Sequence, residues 1–199
     1  MNRDPIFPTN NDYGIPMLNI ALQSTNLEHP AIVYGTVARS KRMYGTWLFY
    51  CDDYRFEALW SKPDTLLKTG CTHIVEPNFS VYDNMPKAHA LWNIFRKRWL
   101  SRYYQDYGNI HVTVDLNVSR VYAQDNLLGV PVGWRSYASR GYKERAYDLE
   151  WEYNLAKEHA QSDSILFVVY GGNRVSKEFA YKNGCVWIND QQTESKINE

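Results

Sequence analysis

Several apolar segments of this chain end in groups able to do chemistry: Asp52-Asp53-Tyr54-Arg55, Glu76-Pro77-Asn78, Asp115-Leu116-Asn117 and Tyr170-Gly171-Gly172-Asn173-Arg174. Carboxylates and amides offer hard oxygen ligands to Mg²⁺ or Mn²⁺, and pairs of carboxylates can divide acid and base roles. If these ends converge, Asp52, Asp53, Glu76, Asp115 and Tyr170 are the candidate catalytic groups. Arg55, Asn78 and Asn117 then stand beside them as candidate binding groups. Trp134 and Arg135, which follow the turn Gly129-Val130-Pro131-Val132-Gly133, join that binding set. Asp52 and Asp53 lead as the candidate metal pair, because adjacent carboxylates repel and need Arg55 or a cation to stay ionised together. The plainer alternative is that Asp and Asn at these places cap helices and close turns.

The elements that would position these groups alternate along the chain. Continuous apolar runs at residues 46–51, 73–75, 110–114 and 164–170 have the pattern of strands covered on both faces. Shorter candidates lie at residues 31–37, 134–139 and 185–188. Amphipathic stretches separate them. The best helix opens at Asp83-Asn84-Met85-Pro86, runs to about Tyr107 and stops at Gly108. Its apolar face is expected at Ala88, Leu91, Trp92, Phe95, Trp99 and Tyr103. Further helices are expected over residues 142–161 and 176–182. This alternation predicts one α/β domain of βα units, with a mostly parallel sheet of about six strands. The sheet is either open or an incomplete, barrel-like arrangement. Residues 1–19 read as an extended arm, 20–189 as the domain and 190–199 as a polar tail. In parallel sheets of this kind, ligands bind beyond the carboxyl ends of the strands.

Bulk properties narrow the classes further. The 199 residues include 22 basic and 22 acidic side chains, so net charge points to no particular polyanionic or cationic partner. No apolar run approaches the ~20 residues of a membrane span, and the N-terminus lacks a signal-peptide core, so a cytoplasmic protein is expected. Three scattered cysteines, Cys51, Cys71 and Cys185, suit neither a disulfide framework nor a zinc knuckle. Phosphate loops, dinucleotide fingerprints and nucleophile elbows are absent from the sequence, and its five histidines are dispersed.

One helix offers a second kind of chemistry. Lys87, Arg96, Lys97, Arg98 and Arg102 interleave with Trp92, Phe95, Trp99, Tyr103 and Tyr104, with no acidic residue between them. Basic groups beside stacking rings can track phosphates and unpaired bases. Arg96, Arg98 and Arg102 are therefore candidate nucleic-acid contacts, although three consecutive cations fan around a helix. A merely solvated basic face is the competing expectation.

Longer motifs add a family resemblance. The segments Asp52-Asp53-Tyr54-Arg55-Phe56-Glu57, Pro77-Asn78-Phe79-Ser80-Val81-Tyr82-Asp83-Asn84-Met85-Pro86 and Trp92-Asn93 with Arg96 and Arg98 resemble a family of unknown function found in phages and bacteria. Gly129–Gly133 and Tyr170-Gly171 resemble further motifs of that family, so the likeness spans residues 15–172. Asn78 stands where the family pattern carries aspartate, and the third strand lacks the family's proline and tryptophan. The resemblance implies an α/β fold and a phage or mobile-element setting, with no established activity. Three readings follow. The first is nucleic-acid or nucleotide handling by Mg²⁺- or Mn²⁺-assisted phosphoester chemistry. The second is a non-enzymatic nucleic-acid or protein binding module in phage replication or host takeover. The third is a small-metabolite enzyme using the same cleft.

Overall fold

A computed structural model describes residues 6–36, 44–142 and 146–190. The expected polar tail lies, from residue 191 onward, outside the described residues. Among the described residues, seven strands form a single sheet in chain order, each parallel to its neighbour. They are β1 (Ala31–Val33), β2 (Thr46–Leu48), β3 (His73–Val75), β4 (His111–Asp115), β5 (Ser136–Arg140), β6 (Leu166–Tyr170) and β7 (Val186–Ile188). The helices are α1 (Ala58–Ser61), α2 (Asp64–Leu67), α3 (Lys87–Gly108), α4 (Ala123–Asn126), α5 (Ala146–Ala160) and α6 (Arg174–Lys182). The sheet curls into an open half-barrel, which selects the barrel-like of the two expected arrangements and raises the strand count from about six to seven.

A sheet wound in strict chain order is covered by its crossovers on one side, and the burial pattern follows from that. Alternate residues such as Trp47, Ile74, Val112, Tyr137 and Phe167 join the large core beneath the helices. The residues between them, Val33, Leu48, Tyr50, Val75, Ala138, Val168 and Tyr170, form a separate apolar cluster on the other face. Both faces are thus dry, which is why the strands read as unbroken apolar runs. Rings link the layers: Tyr34 meets Trp47 and Phe49, Phe49 meets Phe56, and Phe56 meets Phe79, with centroids 5.1–5.4 Å apart. Such contacts add ~0.5–1.5 kcal/mol each beyond simple burial.

Within the expected N-terminal arm, residues 7–18 pack against the body of the domain. Phe7, Ile15 and Leu18 are buried, and Phe7 packs on Trp99 at 5.6 Å. Leu18 N–H donates to Gly129 O. A Cβ on Gly129 would lie 2.1 Å from Pro16 O, so only glycine allows this approach.

Helix α3 departs most from its expected face. Trp92 is 43 % exposed, whereas Asn93, Lys97, Ser101 and Gln105, each four residues from the next, are buried. This side of the helix is polar because the sheet presents carboxylates to it, as described below. Its start also differs. Asp83 does not cap the helix but accepts a hydrogen bond from Ser119 Oγ, and α3 begins directly after Pro86. At the other end Asn109 takes the left-handed conformation, with φ 50°. Gly108 remains helical, and a Cβ there would lie 2.6 Å from Leu67 Cδ2.

Candidate functional site

The carboxyl ends of β2 to β5 open onto a cleft of about 1200 Å³. The segment after β2 contributes Cys51 to Tyr54, the segment after β3 contributes Asn78 and Ser80 to Asn84, and the segment after β4 contributes Asn117 to Val121. Arg140 ends β5, and Asp148 reaches in from α5. Of the sequence-derived candidates, Asp52, Asp53, Asn78 and Asn117 line this space.

Asp52 and Asp53 have different surroundings. Asp53 accepts from Ser80 N–H at 3.0 Å and from Ser80 Oγ at 2.9 Å, tying the β2 and β3 loops together. Asp52 is exposed, and its side chain caps no helix. Arg55 donates to Gly35 O at 3.2 Å. Among the described residues no group of three His, Cys, Asp or Glu side chains is gathered where it could hold a metal ion.

Asp115 is fully buried and does not line the cleft; it lies behind Asn78 and Asn117, which do. Its Oδ1 accepts from Tyr50 Oη at 3.1 Å and from Asn117 N–H at 3.2 Å, and its Oδ2 lies 3.3 Å from Lys97 Nζ. With the Asn78 amide turned to satisfy both of its ends, its nitrogen donates to Asp115 Oδ2 at 3.1 Å and its oxygen accepts from Asn117 Nδ2 at 2.8 Å. Burial pushes the Asp115 carboxyl above the usual carboxylate range, against the pull of Lys97. Burial likewise lowers Lys97, against the pull of Asp115. The Tyr50 hydroxyl is pushed well above the usual phenol range, first by burial and then by the Asp115 charge.

Glu76 is removed from the cleft altogether. It pairs with Arg98 inside the molecule, both side chains being fully shielded, and its Oε2 accepts from Asp115 N–H at 3.2 Å. Arg98 also donates to the carbonyls of Asn126 and Leu128. Arg96 lies 3.9 Å over the Phe79 ring and pairs with Glu57 at 2.6 Å. Arg102 pairs with Asp106 and donates to Met17 O. The central cations Arg96, Lys97 and Arg98 are thus internal struts. All three are buried, so they do not form a solvated basic face. A buried charge is tolerated only when paired and hydrogen-bonded, and the strand-end acids supply those partners.

Trp134 and Arg135 precede β5, at the opposite end of the strand from the cleft. The Trp134 ring is buried with its indole N–H on Ser136 O, and Arg135 N–H donates to Gln23 Oε1. Tyr170 is buried, stacks on Tyr50 at 5.1 Å and donates to Asp190 Oδ1 at 3.4 Å. The glycines after it serve close packing. A Cβ on Gly172 would lie 1.4 Å from Gly141 O.

Arg140 escaped the sequence reading, although the strand-end rule applied to β5 leads to it. Its guanidinium lies 5.9 Å from the Tyr50 ring centroid and 4.2 Å from that of Tyr142. It makes no ion pair among the described residues. Burial lowers its pKa, opposed by Tyr50, Tyr170, Asp190 and Asp115 in that order; a guanidinium so placed still carries its charge at neutral pH. Arg120, which also lines the cleft, is paired with Asp148 at 2.7 Å. Cys51 lines the cleft with its thiol pushed up to about 11 by burial, so it is no thiolate nucleophile at neutral pH. Tyr54 and Tyr82 stand on the cleft wall, 69 % and 60 % exposed.

Residues 7–178 match a family described as a domain of unknown function, DUF4417. The chain belongs to that family. It is also similar to the Gene 1 protein of Mycobacterium phage L5, 32% identical over 134 residues, which cover 62% of this chain and 56% of the relative. The Gene 1 protein of Mycobacterium phage D29 is 44% identical over 62 residues, covering 30% of this chain and 23% of that protein. The chain thus spans about half or less of the length of these relatives. No solved structure matches it. The family match includes every cleft-lining segment. Among the described residues no helix is long and apolar enough to cross a membrane.

Proposed function

We propose that this domain binds a phosphate-bearing ligand of the nucleotide class in the cleft at the ends of β2 to β5. Arg140 carries the reading: a half-buried guanidinium on the cleft wall, held against two tyrosine rings, with no carboxylate in ion-pair contact among the described residues. Its planar fork fits two phosphate oxygens at once. Tyr54 and Tyr82 offer exposed ring faces for a nucleobase. Asn84 and Asp52 offer acceptors for sugar hydroxyls.

Phosphoester chemistry assisted by Mg²⁺ or Mn²⁺ is the catalytic extension of this reading. Asp52 would share the ion with the ligand's own phosphates, the usual arrangement for Mg²⁺ at a site with few carboxylates. Binding through the α3 cations is not favoured, because Arg96, Lys97 and Arg98 are buried.

The test is titration calorimetry with nucleoside phosphates against the wild-type chain and Arg140→Gln, with and without Mg²⁺. Saturable binding that falls by at least ~tenfold in Arg140→Gln, at unchanged melting temperature, supports the reading. Binding indifferent to Arg140, or none to any phosphate compound, contradicts it.

A further inference from the structure

We infer that Asn78 is a specificity-determining residue of the cleft: its amide oxygen, locked in place by the buried Asp115, accepts a hydrogen bond from a neutral N–H or O–H donor of the ligand and rejects a carbonyl there. This names a selection made within the nucleotide-class site proposed above and rests on that reading.

Asn78 lines the cleft beside Asn117, yet is only 7 % exposed, so its few contacts decide what it can offer. Both hydrogens of its amide are committed within the protein. One goes to the backbone carbonyl of Asn117 at 3.2 Å and the other to Asp115 Oδ2 at 3.1 Å. A nitrogen spent in this way has no hydrogen left for a ligand. The amide oxygen accepts from Asn117 Nδ2 at 2.8 Å, against another residue of the cleft wall. A carbonyl oxygen carries two lone pairs, and the described residues use one of them. What Asn78 brings to the cleft is therefore an acceptor.

An isolated asparagine would not discriminate, because a half-turn of its amide exchanges acceptor for donor. Asp115 opposes that turn. Its Oδ1 accepts from Asn117 N–H at 3.2 Å and from the Tyr50 hydroxyl at 3.1 Å, and its Oδ2 lies 3.3 Å from Lys97 Nζ. A peptide N–H and an ammonium group can only donate, so both carboxylate oxygens are held as acceptors. A turned Asn78 would set its oxygen against Asp115 Oδ2 and its nitrogen against Asn117 Nδ2, acceptor on acceptor and donor on donor. The turn gives up three hydrogen bonds inside the protein to gain one with a ligand. Asp115 thus acts as a positioning residue, through Asn78 and without reaching the ligand itself.

The probes are nucleoside monophosphates in matched sets, titrated by calorimetry against the wild-type chain and Asn78→Ala. Adenosine against inosine monophosphate, and cytidine against uridine monophosphate, exchange an exocyclic amine for a carbonyl. Adenosine monophosphate against its 2′-deoxy and 3′-deoxy forms removes a ribose hydroxyl. The wild-type chain is expected to favour the donor-bearing member of the base sets or of the ribose set by at least ~tenfold. The set that responds shows whether an amine or a hydroxyl is read. In Asn78→Ala that preference should fall to about threefold or less. Equal binding of all members by the wild-type chain would overturn the inference, and that result needs no variant to fold. A full preference surviving in Asn78→Ala would overturn the assignment to Asn78. Either failure leaves the Arg140 reading standing if binding still depends on Arg140. Failure of every monophosphate to bind would remove the underlying reading itself.

Discussion

Lys97 Nζ sits 3.3 Å from Asp115 Oδ2 and 3.0 Å from Asp115 O, with both side chains fully withdrawn from solvent. Helix α3 is thereby fastened to the end of β4, directly under the cleft. Glu76 and Arg98 form a second buried pair beside the first, linked to it by the Asp115 N–H bond to Glu76.

Removing one member of such a pair strands the other charge. Lys97→Met is expected to destabilise the fold by about 3–5 kcal/mol. Arg98→Ala should be at least as damaging, because Glu76 and the carbonyls of Asn126 and Leu128 lose their donors together. Urea midpoints measure both. A midpoint near wild type for either variant would mean that the pairs do not support the fold.

The two adjacent aspartates should separate cleanly. Asp53→Ala loses two hydrogen bonds from Ser80 and is expected to cost about 1–3 kcal/mol. Asp52→Ala, exposed and uncapping, should stay within ~0.5 kcal/mol of wild type. Equal losses in thermal or urea unfolding would contradict the division of roles between them.

Two histidines set an acid limit on stability. Burial lowers His73, and the stacked His111 ring 4.9 Å away adds to the effect. Burial also lowers His159, with Arg98 adding to it. A folded-state pKa below the unfolded value means that the unfolded chain binds protons first. This stability is therefore complete above the unfolded value of ~6.5 and is lost as pH falls toward the folded values. The melting temperature should drop between pH 7.5 and 5.5, and less steeply in a His73→Gln/His159→Gln variant. A flat profile, or an unchanged slope in that variant, would contradict this origin.

Much of the scaffold is legible in the sequence because both sheet faces are dry. Unbroken runs such as Leu166–Tyr170 have no other reading, and the strand-end rule places Asp52, Asp53, Asn78 and Asn117 on the cleft. The face of α3 is illegible locally. Lys97 and Arg98 point inward because of Asp115 and Glu76, which lie 18 and 22 residues away in the chain. Pattern rules send unpaired cations to water, and nothing near Lys97 in sequence announces its partner. The difference between Asp52 and Asp53 is likewise set by Ser80, 27 residues downstream of Asp53. Arg140 was within reach, since it ends β5 as the acids end β2 and β4. Its importance comes from lacking a carboxylate partner among the described residues, which only the folded arrangement reveals.

The most direct measurement of the central claim is a crystal structure grown with a nucleoside monophosphate. The phosphate is expected within hydrogen-bond distance of the Arg140 guanidinium, with the base toward Tyr54 or Tyr82. A phosphate bound elsewhere on the chain, with Arg140 untouched, would contradict the assignment.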